Sequence, residues 1–220
     1  MKLYPTILTD SVATVQHQLN LVKEHRPIEV VQIDIIDGQL ADNVTVTPSD
    51  LTGLDFGQLQ LDFHLMVEEP MDFLHELIEY RARLPVRAVI AQVERMSFQA
   101  DFLEMVKKED WLRGLCLDLH TPLSAIEPNS WAELDIIQLM GVELGFQGQT
   151  FAPQVFVKLK GLADQRTKDN LKFAIIVDGG VKASNAKELA QLGVTGVAVG
   201  SALWQAEDLR QTVEQLTNPG

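Results

Sequence analysis

Two aspartates end strand-like runs beside glycine-bearing turns: Asp34 in QIDIIDGQ and Asp178 in FAIIVDGG. One such carboxylate can simply cap a loop. Two of them, on strands facing each other across a ring, can reach one substrate carbon from its two faces. One then acts as base and the other as acid. Asp37, in the turn after Asp34, reads instead as a residue that organises its own turn by accepting backbone N–H groups. His64, in LDFHLM, shares its strand face with Asp62 and Met66. A lone strand histidine is commonly a satisfied core residue, but beside two carboxylates it becomes a candidate metal ligand. The other histidines are weaker candidates. His17, His25 and His75 lie on helical segments and read as surface, and His120 sits in the loop DLHTP, where it could line a cleft.

Glycines form a second constellation. The loop GFQGQ, with Gly145, Gln147 and Gly148, follows the sixth strand-like run; Gly179 and Gly180 follow the seventh, and Gly200 and Ser201 the eighth. Each alone is a turn signal. Together they match the anion site that barrel proteins build from backbone N–H groups after the seventh and eighth strands. Such a site needs no Lys or Arg, which suits an acidic protein that handles a phosphorylated small molecule.

The elements that must position these residues recur regularly. Strand candidates begin near Leu3, Glu29, Leu59, Val86, Leu112, Leu134, Lys172 and Val194, on average about 27 residues apart, the length of a strand, a helix and two short loops. Helical periodicity fills several of the intervals, as in SVATVQHQLNLVKEH, MDFLHELIEYRAR and SNAKELAQLG. Eight βα units predict an α/β fold, a closed (β/α)8 TIM barrel formed by one domain over residues 1–220. An open doubly wound sheet would show the same alternation. Side-chain alternation favours the barrel. Val31, Ile33, Ile35, Leu61, Phe63 and Leu65 form the apolar set facing helices, which leaves Gln32, Asp34, Asp62, His64 and Met66 on the other face. In a barrel that face is the interior, whose mouth at the strand C-termini is where active sites sit.

Composition narrows the function classes. The 220 residues carry 18 Lys+Arg against 31 Asp+Glu, a formal charge of −13, which argues against binding a nucleic-acid backbone. No long apolar run suggests a membrane span, and no secretory signal is visible at the N-terminus. The single cysteine, Cys116, cannot form an internal disulfide, so the expected location is cytoplasmic.

Ordered blocks over nearly the whole chain resemble the ribulose-5-phosphate 3-epimerase family. YPTIL is similar to P-S-I-L, QIDIIDGQLADN to H-V-D-V-M-D-G-H-F-V-P-N, and LDFHLMVEEP to D-V-H-L-M-x-x-x-P. TPLSAIE is nearly unaltered, VDGGV is retained, MGVELGFQGQTF is similar to M-x-V-x-P-G-F-G-G-Q-x-F, and VAVGSALW resembles V-A-G-S-A-I-F. The resemblance implies a barrel of the ribulose-phosphate-binding type that interconverts D-ribulose 5-phosphate and D-xylulose 5-phosphate through an enediolate. It further implies a homo-oligomer, dimer or higher, and a divalent metal (zinc, iron, manganese, cobalt or magnesium) held by two His and two Asp. By position Asp34 and Asp178 are the acid/base pair and, with His64, metal ligands. Thr6, Met66 and Met140 fall at substrate-side positions, with Ile36 replacing a third methionine.

The departures cluster at the metal. Gln32 stands where the family has a ligand His, Gln92-Val93-Glu94 replaces V-H-A-E, and Asp118-Leu119-His120-Thr121-Pro122 replaces N-P-G-T-P. An amide oxygen from Gln32 could complete a weak site, harder than the family's, preferring Mn²⁺ or Mg²⁺ over zinc. The chain is then expected to purify largely metal-free. A sister activity on another phosphosugar, or a phosphosugar-binding relative without turnover, are the alternatives.

Overall fold

Parallel pairing of each strand with its sequence neighbour runs through β1 (Lys2–Ile7), β2 (Val30–Ile36), β3 (Gln60–Met66), β4 (Val86–Gln92), β5 (Leu112–Leu117), β6 (Ile136–Met140), β7 (Ala174–Asp178) and β8 (Gly196–Val199). β8 then pairs with β1, Lys2 opposite Gly196 and Pro5 opposite Val199, which closes the sheet into an eight-stranded barrel. These are features of a computed structural model that describes residues 1–25 and 28–219. The strands start within two residues of the positions expected from sequence. No helix among the described residues is long and apolar enough to cross a membrane.

The period-two pattern sorts the strand side chains into two cores. Val31, Ile33, Ile35, Leu61, Phe63 and Leu65 join the large cluster between sheet and helices. Tyr4, Ala88, Ile90, Cys116, Ile136, Met140, Ile176 and Ala198 pack inside the barrel. Helices α1 (Val12–Lys23), α2 (Pro70–Glu79), α3 (Gln99–Lys108), α4 (Val155–Lys168) and α5 (Ala183–Gln191) cover the outside. α1 starts where the Ser11 side chain accepts the Thr14 N–H, and it buries Val15, Leu19 and Val22, one stripe at helical spacing. α2 opens with Pro70 at its first turn, where a missing N–H costs nothing, and buries Leu74 and Leu77.

Two of the expected helices are absent. After β2 the chain makes only the 3₁₀ turn Ser49–Leu51, and after β5 the turns Leu123–Ala125 and Trp131–Glu133. Between β2 and β3, the β-branched run VTVT, Pro48, Gly53 and Gly57 disfavour a helix; between β5 and β6, Pro122 and Pro128 leave too little room for one. After β8 come two helices, α6 (Ser201–Trp204) and α7 (Leu209–Thr217).

The other correction concerns Asp62. It faces the interior, as alternation requires, but lies toward the floor of the barrel rather than at the mouth. There its carboxylate takes two hydrogen bonds from the Arg87 guanidinium, one of them Nε to Oδ1 at 2.8 Å. The guanidinium also lies over the Tyr4 ring, 5.2 Å from its centroid. Asp62 is therefore a structural group of the floor, fixing β3 to β4.

Candidate active site

At the mouth, three adjacent strands deliver polar side chains by register. Gln32 lies opposite Thr6 of β1 and Asp62 of β3, and Asp34 lies opposite His64. The next strand adds Gln92 at the end of β4, and from across the ring come Gln138 on β6 and Asp178 at the end of β7, all buried. The two aspartates converge on one atom. Gln32 Nε2 donates to Asp34 Oδ1 at 2.8 Å and to Asp178 Oδ2 at 2.6 Å. Gln138 Nε2 gives Asp178 Oδ2 a second amide hydrogen bond at 2.9 Å. His64 lies beneath them, its Nδ1 3.4 Å from Asp34 Oδ1 and 3.3 Å from Asp178 Oδ2.

Electrostatics follow from burial and from these contacts. Burial is the largest influence on Asp34 and raises its carboxyl to about 6; the His64 ring and the Gln32 amide pull it down, and the charge of Asp178 pushes it further up. For His64, burial disfavours the charged ring, but the Cys116 sulfur and the Asp178 and Asp34 carboxylates outweigh it and raise the ring well above an ordinary histidine. The carboxylates carry that effect at neutral pH, because burial pushes the Cys116 thiol up to about 11. Gln92 Nε2 lies 3.1 Å from His64 Nε2 and 3.3 Å from Cys116 Sγ, while its Oε1 has no partner. Turning that amide over would let Oε1 accept from a protonated His64 and from the thiol together.

Asp34, His64 and Asp178 form a buried group whose potential ligand atoms lie within 4.8 Å of one another, three donors that could hold a divalent ion. The fourth donor expected from sequence differs. Gln32 turns its amide nitrogen, not its oxygen, toward the carboxylates, and that nitrogen is also 3.4 Å from His64 Nδ1. Two carboxylates attract a donor rather than a third acceptor, so the orientation follows from their charge. A cation bound to the same three atoms would need the space this N–H₂ group fills. As arranged, the Gln32 amide and a metal ion compete for the same three atoms, and the set fits a metal only if that amide gives way.

Above the carboxylates is a cleft of about 140 Å³. Asp34 and Asp178 reach its floor, Met66 and Met140 give it an apolar wall, and Thr6 borders it. Gln32 and His64 stay below that floor, almost without exposure. The glycine loops form the far end, through Gly145, Gln147 and Gly148, then Gly179 and Gly180, then Gly200 and Ser201. Gly180 has φ +67°, and a Cβ there would sit 2.7 Å from the Phe151 backbone, so the close crossing of these loops requires glycine. Gly200 is constrained less, since its φ is negative and a Cβ would meet only side-chain atoms, the Gln147 amide and Thr6 Oγ1 at 2.7 Å. α6 begins just after Gly200 with no side-chain cap, and its first N–H groups have no intrahelical partner.

Two residues at the site escape sequence reasoning. Gln138 shares a strand face with Met140 in IIQLM, and that lone polar position inside a barrel strand is the available signal. Lys182 borders the glycine-rich end of the cleft, two residues past Gly180. Asp37 accepts the Gln39 N–H and the Glu68 N–H, each at 2.9 Å, and so organises its turn as expected. His120 is exposed at the rim, its Nε2 2.8 Å from Glu143 Oε1, and does not border the cleft. His17 and His75 are exposed; His25 lies beyond the end of α1, half-buried, with Nδ1 2.7 Å from Leu21 O.

Comparison with known proteins bears on this arrangement. The ribulose-phosphate 3-epimerase of Bacillus subtilis is 28% identical over 220 residues, covering 98% of each chain. That of Escherichia coli K12 is 30% identical over 190 residues, 86% of this chain and 82% of the relative. Among solved structures, a Mycobacterium tuberculosis tryptophan synthase superposes with a TM-score of 0.67 at 13% identity, over 99% of this chain and 91% of that one, a likeness of fold alone. The description "Ribulose-phosphate 3 epimerase family" matches residues 2–204, nearly every element of the barrel, and the chain belongs to that family.

Proposed function

We propose that this chain interconverts the epimers of a ketose phosphate, D-ribulose 5-phosphate and D-xylulose 5-phosphate, by proton transfer between Asp34 and Asp178. The observation that carries the reading is the convergence of two carboxylates on one amide nitrogen at the floor of a cleft whose far end is glycine-rich. The phosphate is held by the loops of Gly179–Gly180 and Gly200–Ser201, with Gly145–Gly148 over it and Lys182 at the edge. Met66 and Met140 pack on the carbon chain, and Thr6 offers a hydroxyl donor to the sugar oxygens.

The reacting carbon is the one beside the ketone, whose C–H bond is acidified by the carbonyl. In one direction Asp178, which accepts two amide hydrogen bonds, takes that proton, and the electron pair moves onto the carbonyl oxygen as an enediolate. Asp34, whose raised carboxyl favours the protonated form, delivers a proton to the opposite face. The reverse reaction exchanges the two roles, and proton exchange with water after product leaves resets the pair. Membership in the family and the names of the relatives support the class of reaction.

The test is an assay on D-ribulose 5-phosphate in deuterated water, read as xylulose 5-phosphate formed and as deuterium at the epimerised carbon. Asp34→Asn and Asp178→Asn should each lower the rate by roughly 10²–10⁴-fold. Binding of the substrate with neither turnover nor exchange would overturn the reaction and leave a phosphosugar-binding protein. The histidine positions filled by Gln32 and Gln92 favour a second reading, the same proton transfer on another phosphosugar. Turnover of a different ketose phosphate with none on the ribulose substrate would establish that instead.

A further inference from the structure

We propose that Gln32 takes the place of a divalent cation in this chain, so that Asp34 and Asp178 are held in register by an amide and the centre operates without bound metal. The inference deepens the reading of the same site and rests on it only for the identity of the acid/base pair. Three atoms define the candidate metal group, one oxygen of each aspartate and a ring nitrogen of His64. Gln32 Nε2 is within hydrogen-bond distance of both oxygens, at 2.8 and 2.6 Å, and 3.4 Å from His64 Nδ1. One amide nitrogen has two N–H groups, one for each carboxylate, so a neutral side chain performs the bridging that a cation would otherwise perform.

The surroundings fix that orientation. Gln32 is 1% exposed and sits in mid-strand, paired in register with β1 and β3, so its side chain has no route out of the interior. Gln138 supplies a second amide nitrogen to Asp178, and it too is fully buried. Its oxygen, left without a partner, shows that the amide turns its nitrogen to the carboxylate even at the cost of an unpaired acceptor. For a cation to enter, the Gln32 amide must break both hydrogen bonds to charged acceptors and present its oxygen among two carboxylates. That rearrangement offsets part of what a cation would gain, so zinc binding should be weaker by roughly 100-fold than in a variant with a true ligand at this position.

The experiment is metal analysis of the purified protein, with thermal melts in EDTA and in excess Zn²⁺ or Mn²⁺, for the unmodified chain and for Gln32→Glu and Gln32→Leu. The unmodified protein should carry substoichiometric metal, and its Tm should not move between EDTA and either cation. Gln32→Glu adds a third carboxylate and removes the N–H groups, so its Tm should fall in EDTA and recover with cation. Gln32→Leu should fall in both conditions. Stoichiometric metal in the unmodified protein, or a cation-induced rise in its Tm, overturns the inference, and these two measurements decide it even if a variant fails to fold. None of the readouts needs turnover. An inactive protein that ignores cations would remove the epimerase reading and leave this one, whereas a metal-loaded active protein would do the reverse.

Discussion

Replacing Asp34 with asparagine removes a charge that the fold carries at a cost. The Asp34 carboxyl is raised from the ordinary 3.8 to about 6, chiefly by burial, a shift that corresponds to about 3 kcal/mol. Because the folded value is the higher one, the native state favours the protonated acid. Stability from this group is therefore complete below about pH 4 and is lost as pH rises toward and through about 6. Asparagine keeps an oxygen to accept from Gln32 Nε2 but never ionises. The variant should thus match the parent near pH 4 and exceed it above about pH 7, by up to about 3 kcal/mol. For a chain of this length that is roughly 6 °C in Tm. Thermal or denaturant melts in EDTA across this range measure it, with the epimerase assay run on the same samples. The variant should lose activity while gaining stability. A variant no more stable than the parent in mild alkali, or one whose advantage is the same at every pH, would refute the electrostatic account of Asp34.

Arg87→Met strands the Asp62 carboxylate in the barrel floor and should cost about 3–5 kcal/mol by denaturant unfolding, largely recovered when Asp62→Leu is added; an additive double variant would show that the pair is not coupled. Gly200→Ala places a methyl against the Gln147 amide and Thr6 Oγ1, so, if the proposed phosphate site is right, it should raise KM for the phosphosugar roughly ten-fold by displacing the loop that carries Gln147. An unchanged KM would move the phosphate away from that loop. Lys182→Met should raise KM by up to roughly five-fold at low salt and by less with added salt. A salt-independent effect would show that charge is not how Lys182 acts.

Alternation along EVVQIDII and LQLDFHLM separates the two faces of the second and third strands, because both faces of a barrel strand are buried in chemically different layers. That pattern places Gln32, Asp34 and His64 inside, and the glycine turns locate one end of the cleft. Which end of the barrel Asp62 serves is not legible, since its partner Arg87 belongs to the next strand and its role appears only when the register is known. The absent helices after β2 and β5 are written in Pro48, Pro122 and Pro128, although a regular spacing of strands conceals them. The orientation of the Gln32 amide cannot be read from one strand. It depends on carboxylates delivered by β2 and β7, which meet only when the ring closes.

That closure has a consequence for how the protein is made. β1 is made before every other strand of the barrel, yet one of its two neighbours is β8, with Lys2 opposite Gly196. Until β8 emerges, β1 presents an unpaired backbone edge to solvent, and the ring that brings the carboxylate of Asp178 to that of Asp34 is still open. Nascent chains stalled before β8 should therefore be sticky and protease-sensitive, a liability that vanishes at release. The last strand of the barrel to be synthesised seals it after Asp34 and Asp178 have both been translated, so the meeting of the two carboxylates and protection from aggregation arrive together.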